Sequence, residues 1–177
     1  MITAIDGDTL ASLARESGSR IELPHTVGDF VPTGSSLLHI WHADALDTEK
    51  ETSAAALADA VQIGRERTMT QDAAFGFRQI VDIAERALSP GVNDPTTAVQ
   101  SLDQLHDLLR RLARRRLGSD VRLADDGSVL LRLPRPDRSD YVALALDEIR
   151  QYGPASIQGA RRMGFWALGL RTAPPAS

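Results

Sequence analysis

Apolar residues recur along this chain with two different periods, and the periods mark out its elements. Between 71 and 88, Phe77, Ile80, Val81, Ala84, Ala87 and Leu88 return at three- and four-residue steps, the spacing that lines one face of an α-helix. From 95 to about 117 the pattern repeats with Val99, Leu102, Leu105, Leu109 and Leu112 inward. Ser89-Pro90-Gly91 stops the first helix, and Asp94-Pro95 opens the second, because an acidic N-cap followed by proline at the first helical position is favoured. Gly118 is the expected stop of the second. The pair predicts a central helical hairpin.

Shorter patterns flank it. A strand over 2–5 leads into a helix that opens at Asp8, carries Leu10, Leu13 and Ala14 inward, and ends at Gly18. Strands are expected over 20–23 and 37–41, with Gly28 and Gly34 supplying the positive φ that tight turns between them require. An acidic, polar stretch at 47–51 precedes an alanine-rich helix to about 60, with Ala54, Leu57, Ala58 and Val61 as its stripe, and 61–68 alternates as a short strand around Ile63. Two alternating runs over 121–133 flank Asp125-Asp126-Gly127-Ser128, a β-hairpin turn. Ser139 or Asp140 would cap a helix to Tyr152, Gly153-Pro154 breaks it, and a last helix covers 155–170.

The fold class is therefore α+β: a small N-terminal sheet with Gly-turn hairpins, a central helical hairpin, one further β-hairpin and C-terminal helices. The expected organisation is a single soluble domain over 1–171, β-rich over 1–46 and mainly helical over 47–171 with the hairpin near 121–133, then a disordered tail over 172–177. The spacing Gly28-Asp29-x-Val31-x-x-Gly34-x-x-Leu37 resembles the paired turns of biotinyl and lipoyl carrier domains. Those carriers attach their cofactor to a lysine, and this segment has none, so the resemblance implies a local shape and no cofactor.

Composition narrows the field. A chain of 177 residues, 42% hydrophobic and 25% charged, is the size of one ordinary globular domain. The absence of cysteine removes disulfides, thiolate metal sites and cysteine nucleophiles. A net charge of −4 gives no electrostatic footprint for nucleic acid. Lys50 is the sole lysine beside 19 arginines, and Asn93 the sole asparagine, a bias explained by a GC-rich genome. No uncharged stretch approaches the ~20 apolar residues of a membrane helix, and 1–10 lacks the pattern of a signal peptide. The chain as given is expected to be soluble.

The densest polar segment runs from 65 to 97. Arg65, Arg67, Gln71, Arg78, Asp82, Asn93, Asp94 and Thr97 are the candidate ligand-binding residues, with Asp72, Gln79 and Thr96 beside them. A helix start bearing threonine hydroxyls attracts anions through free amides and the helix dipole, but an aspartate N-cap at Asp94 fills the place an anion would take. The competing reading makes Arg78 and Asp82 an i,i+4 ion pair, Asp94 a cap and Asn93 a turn residue. Asp82 and Asp94 are the nearest carboxylates for acid–base work, which needs a raised pKa and a cleft. His39 and His42 lie on opposite faces of a strand, a poor chelate, and His25 and His106 stand alone. No catalytic residue, metal site or cofactor motif is assigned. Arg110, Arg111, Arg114, Arg115 and Arg116 end the second long helix, where cations suit the dipole; the first four could also meet anionic lipid headgroups. Arg161-Arg162 precede the apolar run 163–170, a sticky end if unpaired.

The run Arg67-Thr-Met-Thr-Gln-Asp-Ala-Ala-Phe-Gly-Phe-Arg-Gln-Ile-Val-Asp-Ile-Ala-Glu-Arg-Ala-Leu-Ser-Pro-Gly-Val-Asn-Asp-Pro-Thr-Thr97 resembles the signature of a bacterial predicted membrane protein family, domain of unknown function 2254. Ile2-Thr-Ala-Ile-Asp-Gly-Asp-Thr-Leu10 and Gly28-Asp-Phe-Val-x-x-Gly34 are similar to its soluble C-terminal portion. The resemblance implies an N-terminal transmembrane part elsewhere, a location on the cytoplasmic side, and no established substrate, cofactor or catalytic residue. Three functions follow as expectations. The first is a non-catalytic domain with an assembly or regulatory role, partnered by itself or by its own transmembrane part; the second is a small-anion or metabolite-binding module at 65–97. The third is a hydrolase using Asp82 and Asp94.

Overall fold

The structure is a computed structural model and describes residues 1–42 and 53–152. The acidic stretch at 47–51, the break at Gly153-Pro154, the helix over 155–170, Arg161-Arg162 and the tail over 172–177 lie outside the described residues. The described chain is α+β, in the order β1 (Ile2–Ile5), α1 (Gly7–Ser17), β2 (Ser19–Glu22), β3 (His39–His42), α2 (Ala54–Asp59), β4 (Val61–Ile63), α3 (Ala73–Leu88), α4 (Pro95–Ala113), β5 (Val121–Leu123), β6 (Val129–Arg132) and α5 (Arg138–Tyr152). It divides into two compact units, one holding the described residues of Met1–Asp72 with Gly118–Arg135, the other Ala73–Leu117 with the described residues from Pro136 to Tyr152.

The first unit holds both sheets. β1 pairs antiparallel with β4, and a four-stranded sheet runs β3-β2-β6-β5 with β2 and β6 parallel. The hairpin β5–β6, which the sequence pattern sets within the mainly helical part, thus pairs with β2. Its loop closes through Gly127 at φ 83, where the absence of a Cβ makes the left-handed conformation cheap. Gly28 and Gly34 also have positive φ, as the turn spacing predicts, at 97 and 87. The core is apolar and continuous: Ile2, Leu10, Ala14, Ile21 and Leu131 are each fully buried, with Leu57, Val61 and Leu133 against them. α2 departs from expectation, since Ala54 and Ala58 are exposed and Leu57 is its buried residue. β4 also stops at Ile63 rather than continuing to 68.

The second unit is helical. Phe77, Val81 and Ala84 of α3 pack with Leu102, Leu105 and Leu109 of α4 and with Tyr141, Ala145 and Ile149 of α5. The Phe77 and Tyr141 rings meet at 5.2 Å in a tilted arrangement. Helix ends differ in places from the sequence expectation: α1, in the first unit, opens at Gly7 with Asp6 as its N-cap rather than at Asp8. α4 ends at Ala113 with Arg114 as its cap, before Gly118. α5 is capped by Asp137: its Oδ1 accepts from the Asp140 amide at 2.9 Å, while Asp140 Oδ2 accepts from the Asp137 amide at 2.8 Å. That reciprocal pair is a capping box, and it moves the helix start ahead of Ser139 and Asp140.

Candidate functional site

The candidate residues fall in both units. In the first, Arg65 is exposed, and Arg67 pairs with Asp72, Nη2 to Oδ2 at 2.7 Å and Nε to Oδ2 at 2.8 Å. Asp72 is the buried member, its side chain 2% exposed against 28% for Arg67. A carboxylate so desolvated is stable only with charge-assisted bonds of this kind. Gly28 makes room for the pair, because a Cβ built there would lie 2.4 Å from Asp72 Oδ2. The Gly28 turn is itself bound to β1: the Gly28 amide donates to Ile2 oxygen at 2.8 Å, and the Ile2 amide donates to Asp29 oxygen at 2.9 Å. Gln71 Oε1 accepts from the Ile5 amide at 3.0 Å. Arg67, Gln71 and Asp72 therefore fasten the chain after β4 onto β1 and the Gly28 turn.

In the second unit, Arg78 bonds Asp82 on its own helix at 2.9 Å and Glu148 on α5. Glu85, one helical turn beyond Asp82, hydrogen-bonds Glu148 as well. Burial, then the bond to Glu148, pushes the Glu85 carboxyl up, while the Arg78 bond holds Glu148 down and Glu148 holds Arg78 up. Of the two carboxyls Glu85 is therefore the one that takes up a proton first as pH falls, while Glu148 is held in its charged form by Arg78. Three carboxyl groups surround one guanidinium, an arrangement that favours a helix clasp over capture of an anion.

Asp94 closes the joint between α3 and α4 from both sides. Its amide donates to Ala87 oxygen at 2.8 Å, satisfying a terminal carbonyl of α3. Its Oδ1 accepts from the amides of Thr96 and Thr97, both at 3.1 Å, and its Oδ2 accepts the Thr97 hydroxyl at 2.6 Å. The Thr97 hydroxyl and amide, with Thr96, hold the Asp94 carboxyl below the usual range. Asn93 precedes it at φ 46, the one non-glycine with positive φ among the described residues. The first amides of α4 are thus already occupied. The same device opens α1, where Asp6 accepts from the amides of Asp8 and Thr9 and from the Thr9 hydroxyl.

Sequence reading missed Glu148, which stands 70 residues from Arg78, and the part Gly28 plays beside Asp72. Glu85 was in reach, lying three residues past Asp82 on a helix whose face was already assigned. Among the described residues no group of three or more His, Cys, Asp or Glu could hold a metal ion. At the far end of α4, Arg110, Arg111, Arg114, Arg115 and Arg116 are all exposed; Arg111 pairs with Asp107 at 2.8 Å.

Fold and geometry define an α+β protein of two compact units whose densest polar segment is held in caps and ion pairs. Among the described residues no helix is long and apolar enough to cross a membrane. The chain belongs to the family described as predicted membrane protein (DUF2254), whose model matches residues 1–164. An uncharacterized protein of Mycobacterium bovis is 39% identical over 153 residues, which is 86% of this chain and 29% of the relative. Uncharacterized proteins of Mycobacterium tuberculosis, from strains H37Rv and CDC 1551, match at the same identity and coverage. This chain spans under a third of the length of the curated relatives it matches. No solved structure matches.

Proposed function

We propose that this chain is a non-catalytic, water-exposed portion of a bacterial membrane protein, on its cytoplasmic side, serving assembly or regulation through association with itself or with its own membrane part. The observation that carries the reading is the use made of the polar segment: Asp94 bonds both helices of the hairpin, and Arg67 and Arg78 are engaged by Asp72, Asp82 and Glu148. Catalysis by Asp82 and Asp94 finds no support in this geometry. Asp94 titrates below the usual range, opposite to the raised carboxyl of a general acid, and Asp82 faces a guanidinium. Family membership and partial coverage of longer relatives support the membrane context.

Size-exclusion chromatography with light scattering tests the association. The chain is run alone over a concentration series, then with the detergent-solubilised remainder of a full-length family member. A mass above that of the monomer in either arm is the expected result. A chain that stays monomeric at high concentration and elutes apart from the membrane part would overturn the proposal.

A further inference from the structure

The arginine end of α4 has more charge than the helix requires. Five of the seven residues from 110 to 116 are arginine, and all five are exposed. The helix dipole places only about half a negative charge at this end, which one or two cations satisfy. Arg110 and Arg114 are four apart, as are Arg111 and Arg115. The Arg114 amide donates to Arg111 oxygen at 3.2 Å and the Arg115 amide to Leu112 oxygen at 3.0 Å, so the chain keeps a helical turn past Ala113 and the two stripes run side by side. Arg138, at the start of α5, donates from Nη2 to Arg115 oxygen at 2.9 Å and brings a sixth guanidinium to this end of the second unit.

The acidic residues of these helix ends are fewer and are engaged. Asp107 pairs with Arg111, and Asp137 and Asp140 accept each other's amides in the α5 capping box. Six arginines against three aspartates leave a local positive surplus on a molecule whose net charge is −4. A surplus of that kind orients: a negatively charged plane attracts this end and repels the rest. Guanidinium also suits phosphate through its planar fork of donors.

We propose that the arginine end of α4 docks on a bilayer surface bearing anionic phospholipid headgroups. This rests on the membrane context of the function proposed above. A lipid surface fits better than a small soluble anion because the guanidinium groups are spread over an exposed helix end along two stripes. The contribution expected of a basic side chain near an anionic leaflet corresponds to roughly fivefold in partitioning.

The test is co-sedimentation of the full 177-residue chain with vesicles of phosphatidylcholine alone and with added phosphatidylglycerol, without any membrane protein. Binding is expected only to the anionic vesicles and is lost at about 1 M salt, where the screening length falls to ~3 Å. Arg110→Gln with Arg114→Gln should weaken it roughly 25-fold, two steps of the fivefold estimate. Arg15→Gln with Arg132→Gln, the same loss of charge in the first unit, should leave most of it; circular dichroism checks that both variants fold. Absence of binding, equal binding to neutral vesicles, or equal weakening by the two double variants overturns the proposal. Displacement by millimolar inorganic phosphate at constant ionic strength also overturns it, assigning the site to a soluble anion. Because these vesicles carry no protein, their outcome is separate from the light-scattering result for association.

Discussion

At Gly28 two constraints meet in one residue. The backbone has φ 97, and a side chain there would strike Asp72 Oδ2 at 2.4 Å and Arg67 Nη2 at 2.7 Å. Gly34 has a similar φ of 87 but open space around it. Gly34→Ala should therefore cost only the left-handed strain, about 1 kcal/mol, whereas Gly28→Ala adds disruption of a buried ion pair and should cost roughly 3 kcal/mol or more. Urea unfolding midpoints of the two variants measure the difference, and equal losses would mean that the Arg67–Asp72 pair yields without cost. Asn93, at φ 46, makes a similar point. Asparagine tolerates that conformation and alanine does not, so Asn93→Ala should lose about 1 kcal/mol while Asn93→Gly stays near neutral. The sequence showed both glycines and Asn93 as turn residues, since residue type alone signals positive φ. It could not show that Gly28 abuts Asp72, because nothing in a one-dimensional pattern places position 28 against position 72.

The N-termini of α1, α4 and α5 are built on aspartate, and their acid response follows. Asp6, Asp94 and Asp137 each accept backbone amides and a hydroxyl, and each is held below its ordinary value, chiefly by the bonds from Thr9, Thr97 and Ser139 respectively. A carboxyl whose folded pKa is depressed gives stability that is present above the ordinary aspartate range and lost as pH falls through the folded value. The melting temperature should thus drop below about pH 4, and Asp94→Asn should flatten part of that drop. Glu85 has the opposite sign, because burial and the bond to Glu148 raise it. Its protonated form suits the fold, so that contribution is full below the ordinary glutamate range and lost as pH rises through the folded value. Glu85→Gln should accordingly raise the melting temperature at neutral pH and change little in acid; destabilisation at pH 7 would contradict the upward shift of Glu85. The cap at Asp94 was legible as an acidic residue ahead of proline and an apolar period, whereas at α1 the sequence pointed to Asp8 and the cap is Asp6, two residues earlier. The α5 cap was misplaced because Asp137, Ser139 and Asp140 are all good cap residues and only the reciprocal bonds choose among them.

At the scale of the molecule, the hydrophobic periods revealed α3 and α4 and most of their inward faces, because packing and periodicity are the same constraint. Leu105, expected inward and fully buried in the helical unit, illustrates it: Leu105→Ala should cost about 3 kcal/mol in chemical unfolding. The short α2, by contrast, buries Leu57 but not Ala54 or Ala58. Strand partners were less legible. The parallel β2–β6 pairing joins residues more than a hundred positions apart, and short strands carry no signal of their neighbours. Candidate site residues were recognised as polar and dense, yet their employment depended on partners such as Glu148 that only the fold supplies. The central claim is that the segment from 65 to 97 is a set of joints rather than a ligand site, and thermal denaturation of the chain with a panel of phosphate, nucleotides and carboxylates tests it most directly. A ligand that binds only the folded state must raise the melting temperature. The account predicts no rise with any member of the panel, together with lower melting temperatures for Asp72→Asn and Asp94→Asn in its absence. A rise with one ligand, abolished by Arg67→Gln or Arg78→Gln in a variant that still folds, would contradict it.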